Sequence, residues 1–74
     1  MSTEYILQAL QDTAKKIADL KGFHVPVSLK AVEDFEKAGV DKYFLELERQ
    51  KLQKLYVMIE ELEAKAERLL KRLD

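Results

Sequence analysis

From position 41 to position 74 the chain has neither glycine nor proline, and its apolar residues recur every seven positions. Leu45, Leu52, Ile59, Ala66 and Leu73 form one row, and Leu55, Leu62 and Leu69 form a second, with Glu48 as its one polar member. A seven-residue apolar repeat sustained over four heptads is the pattern of a helix with a coiled-coil seam. The spacing predicts one unbroken helix over 41–74, about 50 Å long at the usual rise per residue.

The upstream half predicts two shorter helices. Ile6, Leu10, Thr13, Ile17 and Leu20 are spaced by alternating fours and threes, which draws one apolar stripe along a helix from about 3 to 21. Ser2 or Thr3 can cap its start, with Glu4 at the positive end of the helix dipole. Gly22 is expected to end it in the left-handed conformation. Residues 22–28 read as a linker, because Pro26 disfavours helical geometry at Val25. Ser28 then reads as the N-cap of a helix over 29–38, with Val27 and Val32 as a hydrophobic staple. Gly39 ends that helix, Val40 reaches back toward Phe35 in a Schellman arrangement, and Asp41 opens the long helix. The fold class expected is therefore all-α, a single domain over 1–74 with two short helices and one long C-terminal helix.

Length and composition narrow the function. A chain of 74 residues without cysteine has no disulfide framework and no thiolate chemistry. One histidine, two glycines and one proline leave no multi-histidine metal site and no glycine-rich phosphate cradle. Glu60, Glu63 and Glu67 share a helix face, but a carboxylate di-metal site would need histidines beside them. His24 and Ser28 lack the acid and the strained turn of a catalytic dyad. No catalytic residue, cofactor or metal is expected.

Thirteen basic and fourteen acidic side chains give a net charge of −1, spread evenly over both halves. No basic tail points to nucleic acid. Residues 29–49 resemble a helix-turn-helix unit in layout, yet Asp41, Glu46 and Glu48 would face phosphates with the wrong sign. A small DNA-binding regulator is the alternative function on that resemblance. At the C-terminal end, Lys65, Arg68, Lys71 and Arg72 complement the helix dipole and could receive an acidic partner. The longest apolar run, Leu55 to Ile59, is far short of a membrane span. The start lacks a basic leader, so a cytoplasmic location is expected. Asparagine is absent while Leu, Lys and Glu dominate, which is thermophile-like.

A chain this small is only marginally stable alone, and self-association is a common remedy. The long helix carries more apolar surface than one seam uses: Tyr43, Phe44, Leu47, Tyr56, Met58 and Leu70 lie outside it. Two contact faces are therefore expected, one for the chain's own short helices and one for a second copy. The function expected is a non-enzymatic protein-protein interaction or assembly module that homodimerises through Leu45, Leu52, Leu55, Tyr56, Ile59, Leu62, Ala66, Leu69 and Leu73. Both parallel and antiparallel pairing are open; an antiparallel pair centred near Tyr56 would match Arg49 with Glu63 across copies.

Overall fold

Ser2 sets the first helix going: its Oγ accepts a hydrogen bond from the Tyr5 N–H at 3.3 Å. The computed structural model describes residues 2–73, whose regular structure is entirely helical. Helix α1 spans Thr3–Asp19, a π-helical turn spans Leu20–His24, α2 spans Val25–Ala38 and α3 spans Lys42–Leu73. The expected end of the long helix at Asp74 lies outside the described residues.

The expected linker over 22–28 is helical. Helix α1, the π turn and α2 run on as one helix of 36 residues. Gly22 does not end a helix; Val25 is helical, with φ −66° and ψ −49°. Ser28 is buried within α2 rather than capping it, and Val27 is 54% exposed, so the staple does not form. The π turn explains why proline is tolerated here. Its ladder widens so that the Val25 N–H donates to the Leu20 carbonyl. Pro26, which has no N–H to give, then falls in the first turn of α2, where a missing donor does least harm.

The π turn also repairs the seam. Buried and half-buried residues step by fours and threes through Ile6, Leu10, Thr13, Ile17 and Leu20. The next buried residue, Val25, is five positions on, after which Ser28, Val32 and Phe35 restore the rhythm. In an uninterrupted α-helix the seam would pass to His24 and Val25 would point about 100° away. One extra residue in a π turn absorbs that offset and keeps both halves facing α3.

Gly39 ends this first long helix as expected. It adopts φ 67° and ψ 33°, the left-handed conformation. Its N–H donates to Glu36 at 3.3 Å and the Val40 N–H donates to Phe35 at 3.2 Å, completing a Schellman motif. Asp41 then caps α3, accepting from the Tyr43 N–H at 2.8 Å through Oδ1. The chain thus reverses within three residues, and α3 returns antiparallel along the whole first helix. Two exposed ion pairs tie the helices together: Lys21 to Glu63 at 3.1 Å and Arg49 to Glu36 at 2.9 Å. The result is a rod of 53 × 16 × 13 Å. Helices α2 and α3 lie side by side rather than crossing, so residues 29–49 do not form the crossed helix pair of a helix-turn-helix unit.

The core is the seam between the two long helices. Leu20, Val25 and Ile59 form its buried centre, with Leu52, Leu55 and Leu62 packed against them. Ile6 and Leu69 are buried nearer the open end. Thr13 is the most enclosed side chain, and its hydroxyl donates to the Ala9 carbonyl at 2.7 Å.

Candidate interaction surface

The heptad residues of α3 face the chain's own first helix. Ile59 and Leu69 are buried; Leu45, Leu52, Leu55, Leu62 and Ala66 are half-buried. Of the expected dimer contacts only Tyr56 and Leu73 are exposed, at 39% and 37%. The seam is therefore occupied within one chain, because the first helix is long enough to cover nearly all of it. Arg49 and Glu63, expected to meet across copies, are already paired with Glu36 and Lys21.

A flank runs along each side of the seam, and Tyr43 and Val57 lie exposed on the back of α3 between them. On α3 the first flank consists of the residues one position before each seam residue. It carries Lys51, Lys54, Lys65, Arg68 and Arg72 against a single carboxylate, Glu61. Three large apolar side chains accompany them: Phe44, Leu47 and Met58, between 42% and 56% exposed. The opposite flank, one position after each seam residue, has the reverse sign. Glu46, Glu60, Glu63 and Glu67 lie there with Arg49. The helix thus hides a sorted charge pattern inside a near-neutral total.

The basic flank borders a shallow groove that runs along the rod. At the turn end it is walled by Phe35, Phe44 and Leu47. In the middle it passes His24, Val27 and Leu55, then Leu20, Met58 and Leu62. At the open end it is bounded by Tyr5, Ala9, Arg68 and Leu69. Every α3 residue of the basic flank lines it at some point.

The polar groups in and around this groove do little chemistry with one another. His24 packs edge-on against the Phe23 ring, with centroids 5.1 Å apart. The neighbouring Ser28 hydroxyl is buried and has no hydrogen-bond partner, so His24 and Ser28 are not coupled as a dyad. Glu48, the polar member of the seam, has a side chain only 16% exposed and pairs with Lys51 at 3.4 Å. Outside the groove centre, Lys30 donates to Asp34 at 3.0 Å. That hydrogen bond, helped by the charges of Asp34 and Glu33, raises the Lys30 pKa above its ordinary value. Among the described residues no cluster of histidine, aspartate and glutamate is placed to hold a metal ion, and no helix is long and apolar enough to cross a membrane.

Sequence reasoning missed the groove because it summed charge along the chain instead of around the helix. The signal was present: the residues preceding each heptad position in α3 are large and apolar or basic. No protein-family model, curated protein or solved structure matches this chain.

Proposed function

We propose that this protein is a non-enzymatic assembly module, a helical hairpin that homodimerises through its long C-terminal helix. The observation that carries this reading is the imbalance of apolar surface. Five hydrophobic residues are buried in the hairpin, whereas fourteen large ones are exposed among the described residues. One hairpin exposes 5771 Å². A globular monomer of this mass would expose about 4,700 Å² by the usual size scaling. The excess of roughly 1,000 Å² is close to the 800 Å² that each partner contributes to an interface of standard size.

A two-helix rod is a familiar half of a four-helix bundle. The test is sedimentation equilibrium of the intact chain at micromolar concentration. The expected mass is twice the 8.6 kDa of one chain. A single species of 8.6 kDa at all concentrations removes the reading.

A further inference from the structure

We infer that the groove is the dimer face, and that its occupant is a second copy related by a two-fold axis running along the length of the rod. This rests on the homodimer reading above and specifies its geometry. Two stripes border the groove, one on each helix, and they are opposite in net charge. The α3 stripe carries Lys51, Lys54, Lys65 and Arg68 beside the bulky Phe44, Leu47 and Met58. The first-helix stripe, one position before each of its own seam residues, carries Asp12, Asp19 and Asp34 against one cation, Lys16, and its apolar members run from the large Tyr5 and Val27 to the small Ala9 and Ala31.

Within one hairpin these stripes stand side by side on the same face, separated by the groove, and none of the ion pairs between the helices joins them. Both such pairs, Lys21 with Glu63 and Arg49 with Glu36, belong to the opposite flank. Lys54, Lys65 and Arg68 have no ion-pair partner within the chain among the described residues. A second hairpin turned over about the long axis lays each α3 stripe on the other copy's first-helix stripe. The turns then lie at the same end. Leu47 and Phe44 meet the shallow alanine surface around Ala31 and Ala38, and Lys51 comes level with Asp34. Toward the open end, Lys65 falls between Asp12 and Asp19, and Glu61 lies near Lys16. The interface is self-complementary and closes at two copies, as a two-fold contact must. Running the hairpins in opposite directions would instead lay α3 on α3 and set the two basic stripes against each other.

Two measurements on the full chain test this. Leu47→Glu with Met58→Glu replaces the apolar anchors of the proposed contact by charges that must be desolvated there, and weakens dimerisation by roughly 100-fold or more. Tyr56→Glu with Leu70→Glu, on the opposite flank, leaves it within about threefold. Because the chain has no cysteine, engineered thiols report contacts cleanly. A mixture of Leu47→Cys and Ala31→Cys chains forms the mixed disulfide under mild oxidation, and a mixture of Leu47→Cys and Ala9→Cys chains does not. A dimer that links only the second mixture, or that is lost only with the Tyr56 and Leu70 substitutions, overturns the geometry while leaving the homodimer reading intact. A chain that stays monomeric overturns both. So does a monomer that retards duplex DNA through Lys51 and Lys65.

Discussion

Single residues decide where this chain bends and where it does not. Gly39 and Gly22 make the contrast. Gly39 sits at φ 67°, where a side chain is strained, so Gly39→Ala costs about 1 kcal/mol. Gly22 is helical, and an added Cβ there meets nothing within 4 Å. Gly22→Ala therefore stabilises the protein by about 0.5–1 kcal/mol, through helix propensity and a less flexible unfolded chain. Urea unfolding of the two variants checks the pair; equal effects of the same sign would contradict it. Both glycines look alike in the sequence, each following a helical stripe. Only the seam on α3 distinguishes them, because it extends past Gly22 and demands more helix to cover it.

Thr13 and Ser28 make a second contrast at this scale. Both are small polar residues buried in the first helix. The Thr13 hydroxyl is satisfied by the Ala9 carbonyl at 2.7 Å, whereas the Ser28 hydroxyl has no partner. Removing an unsatisfied buried hydroxyl relieves a desolvation penalty, so Ser28→Ala raises stability by about 1 kcal/mol. A drop in the urea midpoint would show that Ser28 holds a bond worth keeping.

At the scale of elements, the π turn is the part of the fold that sequence patterns conceal. The caps were legible: Ser2, Gly39, Val40 and Asp41 each occupy the place that their chemistry predicts. The heptad of α3 was legible too, since nothing interrupts it. Residues 22–28 were not, because Gly22 and Pro26 are strong local signals for a break. What overrides them is tertiary: a stripe that skips one residue between Leu20 and Val25 can stay on one face only if the helix widens there. Deleting Phe23 removes the skipped residue and restores regular spacing. In a regular α-helix, however, Pro26 would be an interior proline costing about 3 kcal/mol. The deletion alone therefore destabilises the hairpin, and the deletion combined with Pro26→Ala recovers at least the original stability. Thermal unfolding followed by circular dichroism measures both; a double variant less stable than the deletion alone would contradict the role given to the turn. The exposed pair of Lys21 and Glu63 contributes far less, and Glu63→Ala shifts stability by under about 1 kcal/mol.

On the scale of the whole molecule, one hairpin buries five hydrophobic residues and leaves fourteen large ones exposed among the described residues. The seam was readable as an interface, but its occupant was not. A heptad repeat does not say whether the covering helix comes from the same chain or another. Here the first helix reaches the full length of α3 only because the π turn joins what looked like two helices. Consequently the heptad residues are taken up by the first helix, and the proposed dimer uses the groove flank, with Met58 at its middle. Charge sorting around α3 was equally hidden, since Lys51, Lys54, Lys65 and Arg68 are offset along the chain by the carboxylates of the other flank.

Solution X-ray scattering of the intact chain puts this arrangement to its most direct trial. Two hairpins stacked along a lengthwise two-fold axis have twice the mass of one chain, 8.6 kDa, yet keep a longest dimension close to 53 Å. A particle of one-chain mass, or a doubled mass stretched well beyond that length, would show that the groove is not covered by a second copy.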